Sequence, residues 1–132
     1  FLQRIGRPEY MEVHITPENQ RLQLLFPLGA IERVRAGQER LADYFVSYPG
    51  WVESHTRVDT DFWSVRVRIP SLRFQLGQFG PEQILHTAVC RYDCTLGTTP
   101  ALSSTAAFTQ ASFHRHGEWT PLVLTVASPR QP

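Results

Sequence analysis

The heptapeptide FHRHGEW at 113–119 concentrates the side chains of this chain best suited to chemistry. His114, His116 and Glu118 alternate, so on a continuous strand all three project to one side, and two imidazoles with a carboxylate are a ligand set for zinc or iron. The letters RHGE at 115–118 can also be read as a phosphate-transfer motif. The third reading is structural: Gly117 turns the chain between two strands and Trp119 caps the core. A turn at Gly117 swings Glu118 out of line with the imidazoles, and none of the fourteen residues after Glu118 is His. The expectation is therefore that His114 and His116 face solvent beside a hairpin turn, with no metal and no cofactor.

No other arrangement suits covalent or nucleotide chemistry. GxSxG, P-loop and GxGxxG patterns are absent, and GQFG at 77–80 reads as a turn. His86 reaches Cys90 only on a helix, whereas Thr87, Val89, Tyr92 and Thr95 suit a strand. On that strand Cys90 and Cys94 stand about 13 Å apart at roughly 3.3 Å per residue. A disulfide needs Cα atoms within about 7 Å. Two buried free thiols are expected, which favours a reducing compartment.

The chain has 132 residues, 42% of them hydrophobic, which fits one domain over 1–132. Its Phe start and Pro-ended tail suggest a segment of something longer. Three Trp, eight Phe and four Tyr, with ten Pro and eight Gly, favour strands joined by turns over long helices. All thirteen basic residues are Arg, and Asn occurs once, at Asn19. Scarcity of Asn has no bearing on phosphate, so GC-rich codon usage explains both features better than selection for phosphate binding. A net charge of +1 agrees, since proteins that cover nucleic acid are usually visibly basic. No run approaches the ~18 apolar residues of a membrane span, so no membrane partner is expected.

Period-2 patterning organises much of the chain. Met11, Val13 and Ile15 alternate with Glu12 and His14, TPENQ turns, and Leu22, Leu24 and Phe26 share the next face, which predicts a hairpin. Ile31, Val34, Leu41 and Phe45 then fall at helical spacing, predicting one amphipathic helix near 30–47, or two short ones divided at Gly37. Alternation returns from Trp51, and DFWSVRVRI sets Trp63, Val65, Val67 and Ile69 inward against Phe62, Ser64, Arg66 and Arg68. Leu72, Phe74 and Leu76 resume one face; further strands are expected at 84–96, 105–114 and 119–127, with GTTPALSST as a loop. The fold class expected is mainly β (α+β), an antiparallel sandwich or strongly curved sheet of about seven or eight strands with that one helix.

The spacing of His114, His116 and Glu118 is similar to the first motif of cupins, whose second histidine motif is missing here. RHGE is similar to the phosphohistidine motif of histidine phosphatases, whose second His and further phosphate-binding Arg are likewise missing. FTQASFHRHGEWTPLVLTVAS resembles the final hairpin of NTF2-like domains, with AVCRYDCTLG as its partner strand, over residues 88–128. That resemblance implies a curved sheet; no acid–base pair of the family maps onto this chain, and the long helix that opens the family is not legible in residues 1–20.

Two site readings follow. Arg66 and Arg68 share the outer face of the best-patterned strand, with Arg57 and Arg73 near and Phe62 available for stacking. The plain account of this face is solvation, its Arg residues paired with Glu53, Asp59 and Asp61. As a site it would serve a binding or assembly module, with a protein partner or self-association expected and nucleic acid the second alternative. The rival is an NTF2-like pocket protein of isomerase or dehydratase type, with His55, Asp61 and His86 lining the cavity. A helix in residues 1–20 favours the pocket, a strand the sandwich.

Overall fold

A computed structural model describes residues 1–70, 84–94, 96–110 and 112–124. The fold is mainly β: nine strands among the described residues, paired antiparallel, with one short α-helix. The chain forms two compact units, one from Phe1–Gly6 with Phe79–Pro132, the other from Arg7–Gln78.

In the second of these, β2 (Tyr10–Ile15) and β3 (Arg21–Phe26) make the expected hairpin, with Tyr10 opposite Phe26 and Ile15 opposite Arg21. Asn19 supplies the turn, taking the left-handed φ of 62° that Asn tolerates better than most residues. Tyr10, Leu24 and Phe26 are fully buried, and the Tyr10 and Phe26 rings stack at 5.0 Å.

The predicted helix is real at its start and stops early. α1 spans Ala30–Arg35 and buries Ala30 and Ile31. Gly37 then adopts φ 70°, its N–H donating to the Val34 carbonyl and the Gln38 N–H to the Arg33 carbonyl. That is the paired 5→2 and 6→1 arrangement of a Schellman stop, which a β-carbon at Gly37 would strain. One helix over 30–47 thus gives way to the alternative of two short pieces divided at Gly37, α1 and a separate 3₁₀ turn at Leu41–Tyr44, where Asp43 accepts from the Arg40 backbone at 3.1 Å. Arg33, Glu39 and Tyr44 bridge the break: Arg33 Nε lies 2.9 Å from Glu39, and the Tyr44 hydroxyl donates to the same carboxylate. These bonds, that from Tyr44 foremost, hold the Glu39 carboxyl below its usual range.

β4 (Glu53–Val58) and β5 (Trp63–Arg68) form a two-stranded ribbon. Its base is held by buried Trp51 and Val52, by Arg21 donating to the Val52 carbonyl, and by Asn19 bonding Ser54 through both backbone and hydroxyl.

In the first unit, β6 (Ile84–Thr87) lies between β1 (Leu2–Arg4) and β9 (Thr120–Val123), while β7 (Cys90–Asp93) pairs with β8 (Ala101–Ser104). The strand predicted over 84–96 divides at Ala88 and Val89 into β6 and β7, which pair with different neighbours. Two expectations fail. ALSS, assigned to a loop, is β8, and the described residues of 105–114 carry bends and turns in place of a strand. The strand at Leu72–Leu76 and the end of the strand predicted over 119–127 lie outside the described residues. Cys90 is half-buried and Cys94 exposed, so the free thiols are not both buried as expected. No helix among the described residues is long and apolar enough to cross a membrane.

Candidate functional site

The FHRHGEW segment builds a knot of aromatic rings and ions. Arg115 donates through Nε and Nη2 to Glu118 Oε1 at 2.8 and 2.5 Å, while Thr109 donates its N–H to Oε2 at 2.9 Å and its hydroxyl to Oε1 at 2.8 Å. A short 3₁₀ turn at His116–Glu118 brings the carboxylate round to these donors. This capture explains why 105–114 is not a strand: Thr109 is pulled back onto Glu118, nine residues on, where an extended chain would carry it away. Phe113 and Trp119 are buried, and Trp119 Nε1 donates to the Phe113 carbonyl at 2.8 Å. Phe1, Tyr92 and Phe108 pack on Phe113 at ring separations of 6.2, 5.1 and 5.6 Å.

The three candidate metal ligands are therefore not a strand face. Glu118 is bound by Arg115 and Thr109, His114 meets the Phe1 ring edge-on at 5.2 Å, and His116 lies 4.5 Å from the Trp119 ring. Both histidines are half-buried, which corrects their expected placement in solvent. Among the described residues no group of three His, Cys, Asp or Glu is placed to hold a metal ion.

The donors around Glu118, Arg115 first and then the Thr109 backbone and hydroxyl, bring its carboxyl down from the ordinary 4.5 to about 2. A carboxyl depressed by folding stabilises the folded state above its ordinary value, and that contribution disappears as pH falls from about 4.5 to about 2. Acid melts of the wild type and Glu118→Gln should therefore diverge most at neutral pH and converge near pH 2. Parallel curves across the whole range would show that the ionised carboxylate adds nothing.

A cluster not foreseen lies on one face of β2. His14 Nε2 is 2.6 Å from Glu12 Oε1, and Glu12 is buried while the imidazole is half exposed. Tyr10 precedes Glu12 on the same face, and its hydroxyl is pushed well above its usual range by burial first, then by the charges of Glu12 and Glu32. The pattern Tyr-x-Glu-x-His on a strand was the available signal, since period 2 puts all three side chains together. Glu12 fixes the imidazole by one nitrogen, an arrangement that ties a buried carboxylate to the surface.

The Arg candidates fall on the β4–β5 ribbon. Register pairs Glu53 with Arg68, His55 with Arg66 and Arg57 with Ser64 on one face, and Ser54 with Val67, Thr56 with Val65 and Val58 with Trp63 on the other. Arg68 reaches Glu53 and Arg57 reaches Asp59, each at 3.1 Å, as the solvated-face account anticipates. Arg66 makes no ion pair among the described residues. Phe62 is 60% exposed at the ribbon tip, where the Asp59 N–H donates to the Phe62 carbonyl at 2.8 Å. Arg73 lies outside the described residues. Val65 and Val67, expected inward, are 40 and 41% exposed, and Val58 is 63% exposed, so this correction leaves the ribbon's apolar face open.

The pocket candidates fall in different units. His55 and Asp61 are exposed on the ribbon, and His86 is half-buried in β6, opposite Gln3 and Pro121. Leu2–Arg4 and Tyr10–Ile15 are strands where the pocket reading needs a helix. Comparison with family models, with curated proteins and with solved structures finds no match to this chain.

Proposed function

We propose that this chain is a binding or assembly module whose contact surface is the β4–β5 ribbon. The observation that carries the reading is an open amphipathic ribbon: valines 40–63% exposed on one face, and Arg57, Arg66 and Arg68 on the other. A two-stranded ribbon is marginal in water by itself. Here the buried Trp51 and Val52 and the Asn19–Ser54 bonds secure its base, so the exposed portion is displayed on a fixed support. Contiguous exposed apolar surface bordered by charge is characteristic of contact sites. The Arg115 and Glu118 side chains of FHRHGEW meanwhile satisfy each other together with Thr109, which leaves that pair as structure. Panning a random peptide library against the intact protein should enrich ligands whose binding is lost in a Val65→Ser/Val67→Ser double variant with an unchanged circular dichroism spectrum. Ligands that bind this variant as tightly as wild type would place the contact surface elsewhere.

A further inference from the structure

We infer that the partner of the ribbon is an extended polypeptide segment in which acidic and apolar residues alternate, added as a third strand along β5. This rests on the binding reading above and specifies the partner. β5 has β4 as its partner among the described residues, so its outer row of backbone N–H and C=O groups is offered to an incoming strand. Strand side chains alternate in period 2, so every second residue of the newcomer stands beside Ser64, Arg66 and Arg68, and the others beside Trp63, Val65 and Val67. Arg66 and Arg68 repeat at about 6.6 Å along β5, the spacing of i and i+2 carboxylates on the incoming strand.

Charge selects among the alternatives. Arg66 has no ion-pair partner among the described residues, and the Arg68–Glu53 pair is exposed on both sides, so each guanidinium is open to a further carboxylate. The edge of β4 suits an acidic strand less well, because Glu53 repels it and Arg57 is paired with Asp59. A second copy pairing through its own β5 brings Arg66 and Arg68 again and no acidic residue, since WSVRVR contains none. A nucleic acid satisfies the Arg residues but leaves the valine face in water, and a net charge of +1 gives it little long-range attraction.

The test uses the intact protein and short synthetic peptides, read by titration calorimetry and by tryptophan emission. Trp51 and Trp119 are buried whereas Trp63 is half-buried in the strand at issue, so an emission change on binding reports the ribbon. An alternating Asp/Val peptide should bind about tenfold or more tightly than alternating Ser/Val, and than a block peptide of Asp/Val composition. Arg66→Glu should reverse the preference toward alternating Lys/Val. Equal affinity for Asp/Val and Ser/Val, equal affinity for the block peptide, or tighter binding of a single-stranded oligonucleotide would each overturn the inference. Failure of the partner class is distinguishable from failure of the ribbon reading. In the first case Ser/Val binds as well as Asp/Val and Val65→Ser/Val67→Ser still abolishes both; in the second, that variant leaves binding unchanged or no strand peptide binds.

Discussion

Trp119→Ala is expected to destabilise the protein by about 3–5 kcal/mol, the range for emptying a large buried aromatic site. The indole is 4% exposed, its ring lies 5.5 Å from that of Phe1 and 4.5 Å from that of His116, and its N–H holds the Phe113 carbonyl. Removal leaves a cavity among rings that cannot all collapse into it, because Phe113 is also fixed by Tyr92 and Phe108. Trp119→Phe separates the two contributions. It retains a ring and forfeits the hydrogen bond, so a loss of about 1–3 kcal/mol is expected for the unsatisfied carbonyl. Urea melts followed by far-ultraviolet circular dichroism read both values. An alanine variant within about 1 kcal/mol of wild type would mean that the site refills, against the packing described.

Phe26→Ala should have a comparable effect, about 3–5 kcal/mol, in the unit formed by Arg7–Gln78. Phe26 has no exposed surface, stacks on Tyr10 at 5.0 Å and tilts against Tyr44 at 5.1 Å. Its loss also disturbs the Tyr44 hydroxyl that donates to Glu39, and so the bridge across the Gly37 break. Phe26→Leu, which keeps most of the apolar volume, should recover more than half of the loss in the same melts. Leu and Ala variants of equal stability would show that ring volume is not what this position supplies. Since folded domains are stable by only about 5–15 kcal/mol, either alanine substitution is large enough to depopulate the native state at 37 °C.

How much of this was legible in the sequence differs from element to element. The β2–β3 hairpin announced itself, because alternation, TPENQ and a second alternating run agree at every level. The strand character of β5 was legible from its alternation, and so was its division into a valine face and an arginine face, whereas its pairing with β4 came from the structure. What alternation does not encode is whether a face is covered. Val65 and Val67 read as inward and are open, because coverage depends on other parts of the fold. β8 was missed since Ala101, Ser103 and Ser104 carry little strand preference, and it is held by its register with β7. Residues 105–114 misled in the opposite direction: their local pattern suits a strand, but the Glu118 carboxylate, bonded to Thr109 and Arg115, bends the chain. The Glu12–His14 pair was present in the letters and lacked only the question of which polar residues share a strand face.

The placement of β1 bears on the order in which the protein assembles. Leu2 pairs with Thr87 and Arg4 with Leu85, so this edge of the first unit closes across some eighty residues of intervening chain. The hairpins β2–β3 and β4–β5 close over turns of a few residues, and such local contacts form in microseconds at small entropic cost. Long-range pairing is slower, since the chain between the partners must be brought together before any contact rewards it. On a ribosome the distinction sharpens. Both hairpins can form as soon as Arg68 has emerged, while the pairing of β1 with β6 cannot form until Thr87 has.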